Sequence, residues 1–311
     1  LRCLRTKETA GERPASRSRN PLLWLDKDAA PRHEKPVSGG MLEMGRDASV
    51  AHAEGNGMGL TAFGLWTLTG LSAAVFVTSL VSGVFGMAGG LMLLSLLLGA
   101  GLSVPVGMAI HGIAQAAANS WRALLWYRFV ELRMLGIYSL GATITILVFL
   151  QLDVVFDKAV VLILLGLIPF AVYVLPTKSV PQIDTVHGAV ICGIVNLVVA
   201  LTAGVSGPLL DVFFLRTELD RRRVVATKAA CQIISNIAKT LYFAQFVAAS
   251  SFVALDLALL VVAMAFLGTL SGRFVLERMT DGAFQIWTRR IVLAVGVLCI
   301  VMGVQDLARR P

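Results

Sequence analysis

The sequence predicts an all-α polytopic membrane protein made of two inverted-topology repeats, with about eight to ten membrane segments. Three observations predict it. The 311 residues are 57% hydrophobic and only 15% charged, with a mean hydropathy of +0.78; soluble domains carry about a quarter charged residues. A ladder of polar residues occurs twice inside apolar segments of membrane length. Finally, basic loops in one half of the chain stand opposite loops poor in basic residues in the other.

Residues 1–57 are rich in Arg, Glu, Ser, Pro and Gly and show no apolar periodicity. Such a segment cannot bury enough apolar surface to fold and is expected to be a disordered tail. It begins with Leu1, so Met41, Met44 and Met58 are candidate starts. No long apolar stretch follows its basic residues, as a signal peptide would need.

Apolar segments then run over 60–82, 88–100, 105–127, 134–152, 158–175, 187–203, 207–215, 222–248, 252–272 and 289–306. A full span needs about 20 residues at roughly 1.5 Å each. The stretches 88–100 and 207–215 are too short. They are expected to be half-helices that enter the membrane and stop, which a bilayer tolerates only where irregular backbone lines a cavity or is buried in protein. Residues 58–180 form the first expected membrane repeat and 181–311 the second.

The repeat rests on a shift of 117 positions without gaps. His111, Gln115, Asn119 and Arg122 form the first ladder; Lys228, Gln232, Asn236 and Lys239 form the second. Spacings of four, four and three put each set on one helix face. Gly90 falls on Gly207, Gln115 on Gln232 and Asn119 on Asn236. Basic character survives where identity does not, with His111 on Lys228 and Arg122 on Lys239. A glycine cluster precedes each ladder: Gly86, Gly89 and Gly90, then Gly204 and Gly207.

Charge gives the relative orientation of the halves. The loop after the first ladder carries Arg128 and Arg133, while its counterpart at 249–254 has no charge. The uncharged loop at 100–104 matches one with Arg216 and Arg221 to Arg223. The loop with Asp153 and Asp157 matches one with Arg273, Arg278, Arg289 and Arg290. Because basic loops stay inside, the halves have opposite orientation, the plan of secondary transporters.

The runs Gly83-Val-Phe-Gly-Met-Ala-Gly-Gly90 and Gly204-Val-Ser-Gly-Pro208, the latter followed by Val225-Ala-Thr-Lys-Ala229, resemble the sulfite exporter TauE/SafE family of membrane anion permeases. The resemblance covers about 60–306. It implies a transporter of small anions such as sulfite, organosulfonates or related carboxylates, located in the cell inner (plasma) membrane. The second motif departs from the family pattern, with Ser206 and Pro208 where a run of glycines is usual.

The candidate substrate-binding residues are Gly86, Gly89, Gly90, His111, Gln115, Asn119, Gly204, Ser206, Gly207, Lys228, Gln232 and Asn236. Glycine lets a ligand approach backbone closely. A helix starting after such a turn, expected from 91 and from 208 onward, aims free N–H groups and its positive dipole end at an anion. Amides can donate to oxyanions without a fixed charge; the bland alternative is interhelical glue worth about 0.6 kcal/mol per bond. His111 and Asp211 are the candidate proton carriers, with Asp211 alternatively paired to Lys228. Arg122 and Lys239 are candidate gate charges or interfacial anchors. The counterpart of Asp211 in the first half is Leu94.

Other function classes find little footing. The net charge of +8 sits in the tail and short loops, where it reports orientation rather than nucleic-acid binding. Cys192, Cys231 and Cys299 stand alone in apolar segments, so neither metal nor disulfide framework is expected. No ATP-binding motif and no catalytic set appears, and no cofactor is expected. The expected partners are a small anionic substrate and the lipid bilayer; the alternative is a non-transporting membrane scaffold or assembly protein.

Overall fold

Long apolar runs punctuated by glycine, proline and charged turns fold into helices. The computed structural model describes residues 65–86, 88–174, 180–247, 255–276 and 278–309. The expected tail at 1–57 and the uncharged loop at 249–254 lie outside the described residues. The described residues belong to one compact unit, Gly45–Pro311. They form α1 (Leu65–Phe85), α2 (Ala88–Gly99), α3 (Val104–Leu125), a 3₁₀ turn (Tyr127–Phe129), α4 (Leu132–Leu152), α5 (Lys158–Val174), α6 (Val186–Thr202), α7 (Gly207–Phe214), α8 (Arg221–Ala244), α9 (Leu255–Leu276) and α10 (Asp281–Ala308).

Local chemistry sets most boundaries. Pro105 sits in the first turn of α3 after Ser103, where a missing N–H costs nothing. Asp153 closes α4 in the left-handed conformation at φ 46°. Thr185 caps α6 by accepting from the Gly188 amide, and Asp220 caps α8 by accepting from the amides of Arg222 and Arg223. Each such cap satisfies an amide that the helix leaves without a partner. The stretches 187–203 and 207–215 are separate helices rather than one kinked span. α2 and α7 begin at Ala88 and Gly207, three residues and one residue before the expected starts. α10 starts at Asp281 rather than near 289; its first turns mix polar and aromatic residues, so an apolar window does not register them.

Among the described residues, four helices are long and apolar enough to cross a membrane: Trp66–Phe85, Leu132–Leu152, Leu255–Gly272 and Ile286–Ala308. Only 22% to 33% of each such window is buried within the protein, which leaves apolar faces for lipid. The chain is therefore an all-α polytopic membrane protein. α3 and α8 have the length, at 22 and 24 residues, but their polar ladders lower the hydropathy. α2, α6 and most of α5 are shorter apolar helices.

The main packing pairs are α1 with α9, α3 with α8, α5 with α10 and α4 with α6. Lipid offers no hydrophobic drive for helix association, so close approach at small residues does the work. A Cβ on Gly193 would strike the Tyr138 carbonyl, and one on Gly141 the Val190 carbonyl. These two contacts lock α4 onto α6. α3 and α8 run antiparallel: Gly112 lies against Asn236 and Thr240, whereas Asn119 and Arg122 share a cavity with Lys228 and Gln232.

Candidate functional site

Two chain breaks build the site. α1 ends at Phe85, and Gly86 reverses the chain at φ 68° before α2; Gly204 does the same at φ 81° between α6 and α7. Both values lie in the left-handed region that glycine adopts without strain. The breaks and the facing stripes of α3 and α8 line a small cavity of about 30 Å³. Gly86 and Gly90 line it from the first break, and Gly204, Ser206 and Gly207 from the second. His111, Gln115, Asn119, Arg122, Gln232 and Asn236 line it from the two ladders.

The amides are not all used alike. Asn119 donates from Nδ2 to the Gln115 carbonyl at 2.8 Å, and Asn236 to the Gln232 carbonyl at the same distance. Each asparagine thus turns one N–H back onto its own helix. Gln115 is 8% exposed, and its Nε2 has no hydrogen-bond partner. Leaving a buried donor unsatisfied costs about 1–3 kcal/mol, and this N–H is available to an acceptor in the cavity.

Lys239 is buried at 0% exposure, so it is not an interfacial anchor. It donates to the Gly204 carbonyl at 2.8 Å, and its Nζ lies 2.6 Å from His111 Nδ1. His111 Nε2 lies 3.1 Å from the Gly90 carbonyl. A carbonyl only accepts, so Nε2 carries a proton, and Nδ1 accepts from the ammonium. One cluster thereby ties the start of α2, the middle of α3, the end of α8 and the turn after α6. The His111 imidazole bonds protein at both nitrogens, which leaves neither aimed at an anion.

Lys228, Asp211, Lys239 and Gly89 lie outside the small cavity. Lys228 and Asp211 form an ion pair at 26% and 30% side-chain exposure in an adjoining vestibule of about 340 Å³. The two spaces share Gly86, Asn119, Arg122, Gly207 and Gln232 along their boundary. Arg122 donates to the Ser82 carbonyl and, at 3.1 Å, to the Ser82 hydroxyl; that hydroxyl donates to the Gly86 carbonyl at 2.8 Å. The guanidinium therefore holds the first break in place. Gly89 faces α1, where a Cβ would overlap the Thr78 carbonyl and Ser82; its role there is close packing.

Several residues escaped sequence reasoning. Tyr138, Asn196 and Ser235 form a buried network: Asn196 Nδ2 donates to Ser235 at 3.0 Å and also reaches the Tyr138 hydroxyl. It joins α4, α6 and α8. Asn196 was visible as a lone amide in an apolar run, but its partners lie on distant segments. The Phe85–Phe284 ring stack at 6.0 Å in the vestibule had no sequence signal. Among the described residues no group of three or more His, Cys, Asp or Glu could hold a metal.

The family model described as Sulfite exporter TauE/SafE matches residues 71–304, a stretch that includes both breaks and both ladders. No curated protein and no solved structure matches the chain.

Proposed function

The chain belongs to the sulfite exporter TauE/SafE family, a family of transporters rather than enzymes, and from that premise we propose that it exports small anions such as sulfite, organosulfonates or related carboxylates by alternating access. The observation that carries the reading is the convergence of two glycine breaks and two polar ladders on one small cavity. In a bilayer such polar groups are expensive and mark a pathway. Gln115, Gln232 and the first turns of α2 and α7 are the proposed anion donors.

The finer architecture belongs to the same proposal: 58–180 and 181–311 are inverted repeats, with α2 and α7 as half-helices. Antiparallel packing of α3 and α8 supports it. The first rung of one ladder, His111, meets the last rung of the other, Lys239. The reciprocal pair, Lys228 and Arg122, borders the vestibule. Each last rung bonds a carbonyl beside a break, Arg122 to Ser82 and Lys239 to Gly204. Exchanging the halves also maps the α1–α9 pair onto α6–α4.

The vestibule opens where α8 and α10 begin, near Val225 and Phe284. That end carries Arg221 to Arg223, Arg289 and Arg290, so the positive-inside rule makes it cytoplasmic. The conformation is then inward-facing in an inner membrane, as loading for export requires. On the opposite side the His111–Lys239 contact closes the path. Closure of the cytoplasmic side brings two basic side chains, Arg122 and Lys228, together, and Asp211 supplies their counter-charge. The outer closure joins Lys239 to a histidine that needs no carboxylate, which explains Leu94 at the matching position. His111 and Asp211 are the proposed proton-coupling groups.

The test is flux of sulfite, methanesulfonate and a small carboxylate in proteoliposomes, with and without an imposed pH gradient. Saturable flux that responds to the gradient is the expected result. No flux of any anion, in protein shown to be folded, contradicts the proposal.

A further inference from the structure

Polar contacts at three levels staple α8 to α4. At the cytoplasmic end the Glu131 amide donates to the Thr227 hydroxyl at 3.0 Å, and Arg223 pairs with the Glu131 carboxylate. Midway, the Ser235 and Tyr138 hydroxyls bond each other, and Asn196 of α6 donates to both. At the far end the Tyr242 hydroxyl donates to the Val154 carbonyl at 2.8 Å. Bonds of this kind hold the helices that share them in one arrangement.

Under the shift of 117 positions, the seam between α8 and α4 corresponds to the seam between α3 and α9. That second seam is built differently. The counterparts of Tyr138, Thr227, Ser235 and Tyr242 are Leu255, Ile110, Ala118 and Leu125, none with a polar side chain. The counterpart of Asn196 is Ser79, whose hydroxyl has no partner among the described residues. Among the described residues no side-chain hydrogen bond joins α3 to α9. The Trp121 and Phe266 rings meet edge-on at 4.7 Å. Around them lies an apolar groove of about 440 Å³, lined by Ile113, Ala117, Leu124, Leu241 and Val262 among others. The other side of α3, with Asn119 and Arg122, borders the vestibule. α3 therefore has free space on two sides, whereas α8 is bonded to its neighbours.

We propose that α3 is the moving ladder helix and that α4, α6 and α8 form the fixed frame against which it swings. The inference rests on the transporter and inverted-repeat readings and makes their alternating access asymmetric. Closure of the vestibule carries the cytoplasmic half of α3 toward α8, brings Arg122 to Lys228 and widens the groove facing α9. A seam of apolar contacts slides without breaking directional bonds, and the stapled seam does not.

The experiment uses the full chain with its native cysteines replaced by alanine. Ala117→Cys/Val262→Cys spans the groove, and Glu131→Cys/Thr227→Cys spans the staple. Each pair is joined by a short bis-thiosulfonate linker. Methanesulfonate flux in proteoliposomes is read before linking, after linking and after reduction with dithiothreitol. Linking across the groove should cut flux more than about tenfold, since a tethered helix blocks the conformational step, and reduction should restore it. Linking across the staple should leave most of the flux. Full flux with the groove linked, loss of flux with the staple linked, or failure of the groove pair to link in folded protein overturns the proposal.

A readout independent of flux separates this inference from the transporter reading. Nitroxides attached through maleimide at Leu124→Cys/Phe274→Cys and at Leu147→Cys/Leu241→Cys report α3–α9 and α4–α8 distances by pulsed electron paramagnetic resonance. The first pair should show two populations whose ratio changes with methanesulfonate, and the second a single unchanged one. Flux with a single, invariant α3–α9 distance overturns the moving helix and leaves the transporter reading standing. Two α3–α9 populations without flux in the unlinked protein keep the moving helix and remove the transporter reading. Absence of both overturns both.

Discussion

His111 and Lys239, 128 residues apart in sequence, meet at 2.6 Å in the buried interior between α3 and α8. The same ammonium holds the carbonyl of Gly204, the residue that turns the chain into α7. Position of the second break is thus tied to a contact between the two ladders. A change at either ladder reaches the backbone that lines the cavity.

Lys239→Met alone leaves the Gly204 carbonyl and His111 Nδ1 without their donor. A destabilisation of about 1–3 kcal/mol is expected, read as a lowered thermal unfolding midpoint in detergent. His111→Leu with Lys239→Met should cost less than the sum, with a coupling of about 0.5–3 kcal/mol, because removing both members of a buried polar pair is milder than removing one. Strict additivity would show that the two do not interact.

Alanine at the two breaks separates strain from crowding. Gly86→Ala meets nothing within 4 Å and should cost only the left-handed penalty of about 1–2 kcal/mol. Gly204→Ala adds a Cβ that overlaps Leu94 and stands 2.7 Å from the Met108 sulfur, so overpacking adds about 1–3 kcal/mol. The unfolding midpoint should fall further for Gly204→Ala. Equal falls would argue that the chain around Gly204 relaxes freely.

Much of this architecture is legible in the sequence, for a physical reason. Glutamine, asparagine and lysine inside apolar runs are costly and rare, so ladders at helical spacing stand out, and the glycine runs mark chain breaks. What stays hidden is register. Nothing local says that Lys239 meets His111 rather than lipid head groups, because that depends on antiparallel packing of helices far apart in sequence. Lys228 is equivalent to His111 in the repeat, yet the alternative that the sequence also offers, an ion pair with Asp211, is the one formed, and it holds Lys228 in the vestibule. Gly89 looked like its neighbour Gly90, yet a helix turns consecutive residues about 100° apart, and it faces α1 instead.

Asp211→Asn removes the one carboxylate that borders the vestibule among the described residues. Its pair with Lys228 is about a third exposed, so the interaction is worth no more than about 1 kcal/mol. The KM for a monovalent anion should fall by up to about fivefold, and more so at low salt. The response of flux to a pH gradient should weaken, since one proposed proton carrier is gone. An unchanged KM and an unchanged pH response would remove Asp211 from the pathway.

The inverted-repeat assignment makes a topological prediction. A reporter fused near Ser250 should lie outside the membrane's cytoplasmic face, and one near Thr280 inside it. Reporters on the same side would sink the assignment, whatever the substrate.

The central claim is that the cavity between the two breaks carries the anion, and Gln115 with Gln232 tests it most directly. Hydrogen bonds to a charged group are worth about 1.5–3 kcal/mol each, and about 1.4 kcal/mol is tenfold in rate. Flux of methanesulfonate or sulfite should be compared in proteoliposomes for the natural chain and the Gln115→Ala/Gln232→Ala variant, with unfolding midpoints measured alongside. The account predicts a loss of flux of at least tenfold at a nearly unchanged midpoint. Full flux in the double variant would contradict it and reduce the two ladders to helix-packing contacts.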